Sequence, residues 1–156
     1  MLNGILLLGP TASGKTPLGE MLEANGIGSI RCHHFDFGNE LRLVARDDDN
    51  SGYFSDEEIR FINRVLNEGF LLEDGHFNIA RKIFMAFTEA RGIDEADITV
   101  LNGLPRHAGQ AERMADIVDI GLVINLVCSK DNILCRIEEN TGGDRTARKD
   151  DHKELV

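Results

Sequence analysis

The stretch Gly9-Pro10-Thr11-Ala12-Ser13-Gly14-Lys15-Thr16 matches GxxxxGK[ST] at every fixed position. The apolar run Ile5–Leu8 precedes it, and a helical pattern over about Lys15–Ala24 follows. That strand–loop–helix context is what the pattern requires. Its glycines permit a turn whose backbone N–H groups face inward, and the helix start adds partial positive charge. Lys15 is placed to reach the β- and γ-phosphates of a nucleoside triphosphate, and the Thr16 hydroxyl to ligate Mg²⁺. Pro17 sits in the first helical turn, where a missing N–H costs little. The loop therefore predicts that ATP or a similar nucleotide binds at residues 9–16.

Outward from the loop, short apolar runs alternate with amphipathic helical stretches, the pattern of an α/β fold with a parallel sheet and helices on both faces. Strands are expected at Ser29–Phe35, Ile98–Leu101 and Leu122–Val127, besides Ile5–Leu8. Helices are expected at Asn39–Arg46, from a capping box at Ser55-Asp56-Glu57-Glu58 to Gly69, and over Gly75–Arg91. Two more are expected at Gln110–Ile117 and Asp131–Glu138. All eight Phe and the single Tyr fall between residues 35 and 87. They are either a separate small core in a helical insertion or ordinary core residues of its helices.

The chain has 156 residues, a length for one domain. Its 27 acidic and 17 basic residues leave a net charge of −10, which argues against binding a nucleic-acid polymer through bulk charge. No apolar run approaches the ~20 residues of a membrane span, and the N-terminus lacks the basic flank of a signal peptide. Cys32, Cys128 and Cys135 form no CxxC and no even framework, as expected for reduced thiols in a cytoplasmic protein. A monomer is expected.

Four further segments, in order, resemble the adenylate kinase and nucleoside monophosphate kinase family. His34-Phe35-Asp36-Phe37-Gly38-Asn39-Glu40-Leu41-Arg42 is similar to its H-x-S-T-G-D-x-L-R. Gly69-Phe70-Leu71-Leu72-Glu73-Asp74 is similar to G-x-L-V-x-D. Leu101-Asn102-Gly103-Leu104-Pro105-Arg106, with Gln110, is similar to L-D-G-F-P-R…Q, and Arg148-Lys149-Asp150-Asp151 to R-x-D-D. The resemblance implies a three-layer P-loop kinase fold over 1–156, with a helical acceptor-binding insertion at 38–92 and a short lid at 140–147. It implies transfer of the γ-phosphoryl of ATP, with Mg²⁺, to a nucleoside monophosphate, AMP being the leading acceptor. By the same resemblance Lys15, Arg106 and Arg148 serve catalysis, and Arg136 stacks on the donor adenine. Arg42 and Arg106 grip the acceptor phosphate, Gln110 reads its base, and Phe37, Phe70, Leu71, Leu72 and Gly103 line the acceptor site.

Departures from the family pattern are specific. Asn102 stands in place of an aspartate that supports the Mg²⁺ shell, Phe37 in place of a threonine, and Asn140 in place of a lid arginine for which Arg145 could substitute. The lid lacks cysteines, so no structural zinc is expected. The family's last strand, its helix and another arginine are expected after Val156 and so are missing from this sequence. Two other readings follow: a small-molecule kinase with Asp36 as base, or a nucleotide-binding relative with weak or no transfer.

The stretch Asp47–Glu58 also supports two readings. One is a solvated acidic turn closed by the helix cap. The other is a twelve-residue Ca²⁺ loop with Asp47, Asp49, Ser51, the Tyr53 carbonyl and Glu58 as ligands and Gly52 at the sharp turn. The five histidines show no metal-ligand spacing.

Overall fold

A computed structural model describes residues 1–46, 53–69, 72 and 74–140. Four parallel strands form one sheet in the order β2-β3-β1-β4. They are β1 (Leu2–Leu8), β2 (Cys32–Asp36), β3 (Ile98–Asn102) and β4 (Val118–Asn125). Strand β1 is central. It pairs with β3 from Asn3↔Ile98 to Leu7↔Asn102, and with β4 from Leu2↔Val118 to Leu8↔Asn125.

The sequence of β1 explains its place. Ile5 and Leu7 point into one apolar cluster with Cys32 and Val100, against which Leu18 and Leu22 of α1 (Lys15–Asn25) pack. Leu6 points the other way, into a larger cluster with Phe35, Leu101, Met114 and Val118. A strand covered on both faces reads as a continuous apolar run, and this one does.

Helices α2 (Phe37–Arg46), α3 (Asp56–Glu68) and α4 (Phe77–Arg91) follow β2, and α5 (Ala108–Met114) and α6 (Lys130–Glu138) follow β3 and β4. The aromatics do not build a separate core. Phe35 of β2 meets Phe84 and Phe87 of α4 edge-on, each at 5.1 Å between centroids, and all three lie in the cluster that reaches the sheet. Offset and edge-to-face contacts of this kind add about 0.5–1.5 kcal/mol each beyond burial.

Strand β4 begins at Val118, four residues before the expected start at Leu122. The segment Val118-Asp119-Ile120-Gly121 carries Asp119 and Gly121, which strands disfavour, but pairing with β1 draws it into the sheet. Gly4 pairs with Ile120 and Ile5 with Leu122, so Gly121 is an extra residue at a bulge. A Cβ on Gly4 would lie 2.5 Å from Val118 Cγ1, so only glycine permits this approach. Helix α5 consequently ends at Met114 rather than Ile117.

At the amino end of the sheet, Asp97 ties β2 to β3. Arg31 donates to both of its oxygens at 2.9 Å, and His33 Nε2 lies 3.2 Å away. In the insertion, α3 opens with the expected capping box. The Ser55 hydroxyl accepts the Glu58 N–H, and Glu58 Oε2 accepts the Ser55 N–H at 2.7 Å. Lys82 of α4 donates to both Glu58 oxygens at 2.9 and 2.8 Å, so this carboxylate joins the two helices.

Hydrogen bonding from Lys82 holds the Glu58 pKa below its ordinary value. A depressed carboxylate contributes stability above its unfolded pKa of about 4.3, and loses it as pH falls through the folded pKa. Glu58→Gln keeps the capping geometry and removes the charge. It should cost a few tenths to about 1 kcal/mol at pH 7. Melting curves of the two proteins from pH 7 to pH 3 should begin to converge once the pH falls below the unfolded pKa of about 4.3.

Candidate nucleotide site

The phosphate loop leaves the carboxyl end of β1, where ligands of open parallel α/β sheets bind. Gly9 and Gly14 have φ of 136° and 104°, and Ala12 also has a positive φ, 58°. A Cβ on Gly9 would lie 2.6 Å from the Leu126 carbonyl oxygen, so the turn requires glycine there. Gly14 at the N-cap offers no side chain to occupy the first-turn N–H groups of α1. Lys15 Nζ folds across the loop and donates to the Gly9 and Pro10 carbonyls at 2.6 and 2.7 Å. The Ser13 hydroxyl is buried without a hydrogen-bond partner, a polar atom directed within the loop that a ligand oxygen could satisfy. Arg136 of α6 donates to the Ala12 carbonyl at 3.0 Å, so this arginine already rests on the loop.

Beside the loop, the ends of β2 and β3 supply a polar cluster. Thr16 Oγ1 donates to Asp36 Oδ2 at 2.9 Å. Asn102 Nδ2 lies 3.1 Å from both that carboxylate oxygen and Thr16 Oγ1, and 3.3 Å from His34 Nε2. A carboxylate only accepts, so the nitrogen of Asn102 must face Asp36. Its two N–H groups are shared among the three neighbours, an arrangement that suits a neutral His34 ring with its proton on Nδ1. Burial pushes the His34 pKa below its ordinary value, against nearby Asp36, Glu23 and Glu20, which favours that neutral ring. The other Asp36 oxygen accepts the Asn39 N–H at 3.0 Å at the start of α2. Thr16 and Asp36 thus converge as oxygen donors of the type Mg²⁺ takes, and the residues fit the ion that accompanies ATP.

Two arginines expected at an acceptor phosphate stand on the same edge. A Cβ placed on Gly38 would lie 3.4 Å from Asp36 Oδ1 and 3.6 Å from the Arg42 guanidinium. One placed on Gly103 would lie 3.7 Å from the Arg106 guanidinium and from Phe37 Cβ. Both side chains therefore lie beside glycines at the carboxyl ends of β2 and β3. Arg106 Nε also donates to the Gly103 carbonyl at 3.0 Å.

Three expected acceptor residues have partners within the protein. Gln110 is 1% exposed, with Oε1 accepting the Arg106 N–H at 2.9 Å and Nε2 donating to the Leu72 carbonyl at 2.8 Å. It fastens the Leu72 segment to the loop after β3, where a base-reading role was expected. Phe37 and Leu72 are buried in the larger core cluster, so their side chains pack rather than present themselves to a ligand. Phe70, Leu71, Arg145, Arg148 and lid positions 141–147 lie outside the described residues.

Asp47, Asp49, Ser51 and Gly52 of the Ca²⁺ reading also lie outside them. Glu58, its twelfth position, is engaged with Ser55 and Lys82, and Tyr53 sets its ring against Phe54 at 5.5 Å. Among the described residues, no cluster of three His, Cys, Asp or Glu side chains could hold a metal. Among the described residues no helix is long and apolar enough to cross a membrane. The three cysteines are free.

The polar cluster and the seat of His34 were not anticipated. A Cβ on Gly19 of α1 would lie 2.2 Å from the His34 ring, so α1 approaches β2 through that glycine. The available signal was an acid at the end of one strand facing an amide at the end of its neighbour.

No protein-family model matches the chain. A curated relative does. Over 134 residues this chain is 31% identical to an adenylate kinase of Natronomonas pharaonis. The match takes in 85% of this chain and 55% of the relative, so the chain spans about half of that protein's length. With the parallel α/β sheet, the likeness supports a kinase-like P-loop protein.

Gly19→Ala should push α1 off the His34 ring and disturb the loop that α1 carries. Overpacking of this kind costs about 1–3 kcal/mol. Thermal melting should show the loss, and His34→Ala in the same chain should restore part of it by removing the clash.

Proposed function

We propose that this protein transfers the γ-phosphoryl group of ATP to a nucleoside monophosphate, with AMP as acceptor. The observation that carries the reading is the alignment along one sheet edge of the Gly9–Thr16 loop and the two arginines Arg42 and Arg106. A loop for the donor phosphates beside two cations for an acceptor phosphate is what phosphoryl transfer between nucleotides needs. The likeness to an adenylate kinase supports the same reading.

The reaction needs positioning and charge neutralisation more than a nucleophilic side chain. An oxygen of the acceptor phosphate attacks the γ-phosphorus, and the bond to the β–γ bridging oxygen breaks in line with it. The products are ADP and a nucleoside diphosphate. Lys15 leaves the Gly9 and Pro10 carbonyls for the β- and γ-phosphates, and the loop N–H groups cradle them. Arg42 and Arg106 hold the acceptor by two-pronged hydrogen bonds. Arg136 covers the donor base and Arg148 the moving phosphoryl group. Thr16 would hold Mg²⁺, which would supply positive charge to offset the negative charge on the donor oxygens.

The small-molecule reading would use Asp36 as base for a substrate hydroxyl. Its two oxygens instead accept from Thr16, Asn102 and the Asn39 N–H, and these partners support a role beside the phosphate loop over that of a free base.

With ATP and Mg²⁺, AMP should give ADP faster than CMP, UMP, GMP or TMP. Arg106→Ala should lower kcat/KM for AMP about 100-fold or more while ATP binding persists. ATP binding with no transfer to any of the five acceptors would overturn the reading.

A further inference from the structure

Loops of this kind hold Mg²⁺ through their Ser or Thr hydroxyl together with an acid from a neighbouring strand. Strand β3 lies directly beside β1, yet it ends in Asn102, which carries no charge. Asn102 offers the site a nitrogen, as the approach of its Nδ2 to Asp36 requires. The carboxylate at this position comes from one strand further out, at the end of β2, where Asp36 Oδ2 accepts the Thr16 hydroxyl at 2.9 Å.

We propose that Asp36 is the acidic partner of Thr16 for the nucleotide's Mg²⁺, a carboxylate transposed from the end of β3 to the end of β2, with Asn102 as the amide that positions it.

The transposition explains both residues together. Asn102 Nδ2 sits 3.1 Å from Asp36 Oδ2. An aspartate at 102 would put a second carboxylate oxygen at about that distance, and like charges so close destabilise each other. An amide removes the repulsion and adds a hydrogen bond. It also donates toward Thr16 Oγ1 and His34 Nε2, so Asp36, Thr16 and His34 are held about one nitrogen. His34 in turn is seated on Gly19 of α1, and its own N–H is donated to Glu23 of that helix at 3.3 Å. The acid is therefore fixed to the helix that bears the loop, and not only to its own strand. Its remaining oxygen takes the Asn39 N–H at the start of α2. Asp36 thus links the donor loop to the first helix of the proposed acceptor region.

The proposal rests on the nucleotide-binding reading of the phosphate loop and is tested by binding as well as turnover. Calorimetry of ATP with Mg²⁺ and with EDTA gives the enhancement due to the ion. In Asp36→Asn, which keeps an oxygen for the Asn39 N–H, that enhancement should fall about 10- to 100-fold while ATP binding in EDTA holds. The swap Asp36→Asn with Asn102→Asp returns an acid to β3 and should recover most of it. Asn102→Asp alone should melt lower than the wild type without metal and be raised further by Mn²⁺. This arm decides the matter if Asp36→Asn does not fold. An undiminished Mg²⁺ enhancement in Asp36→Asn, none in the wild type, or a wild-type response to Mn²⁺ in Asn102→Asp would overturn the proposal. Mg²⁺-dependent ATP binding through Asp36 without transfer to any acceptor would overturn the kinase reading and leave this one standing.

Discussion

The placement of β1 between β3 and β4 governs the rest of the molecule. A strand in that position must be apolar on both faces, and Ile5, Leu6 and Leu7 satisfy this by pointing alternately into the two clusters. Its carboxyl end then falls inside the sheet edge, flanked by the ends of β3 and β4, with β2 beyond β3. Whatever follows those strands is gathered beside the loop that follows β1. Asp36 and the segment Asn102–Arg106 are far apart in sequence and meet there because the strands are parallel and in register. In an antiparallel sheet the ends of neighbouring strands would alternate, and this gathering would not occur.

The opposite edge has a structural task. The Arg31–Asp97–His33 contact joins β2 and β3 where they enter the sheet, and so holds their register at the end remote from the loop. Glycine appears where a backbone and a side chain come close: Gly4 against Val118, and Gly19 against the His34 ring. These two positions couple the loop's flanking elements to the sheet. A small shift at either would displace the Thr16 hydroxyl relative to Asp36. Placement errors of about 1 Å at a reacting group cost about 100-fold in rate.

Much of this was legible before the structure. The apolar run, the loop and the helix start at Lys15 are local features with strong physical signatures, and each lies where its sequence implies. The cap at Ser55 and Glu58 is equally local. Strand β4 was less legible because its first half has weak intrinsic preference and exists through pairing with β1. Gln110 was visible as a polar residue at a family position, but its burial between the Arg106 N–H and the Leu72 carbonyl depends on tertiary packing. The same is true of Phe37, whose side chain the aromatic core claims. The relation between Asp36 and Asn102 crosses two strands and had no local signature at all, although both residues stood out singly.

If the carboxyl edge of this sheet receives a nucleotide's phosphates at Gly9–Thr16, backbone amide NMR of the protein titrated with ATP and Mg²⁺ will register it there. The largest shifts should fall at Gly9, Ala12, Ser13, Gly14, Lys15 and Thr16, smaller ones at Asp36 and Asn102, and none at Arg31 or Asp97 at the other end of the sheet. Unchanged loop amides at saturating ATP, or shifts confined to the Arg31–Asp97 end, would contradict phosphate binding at that loop.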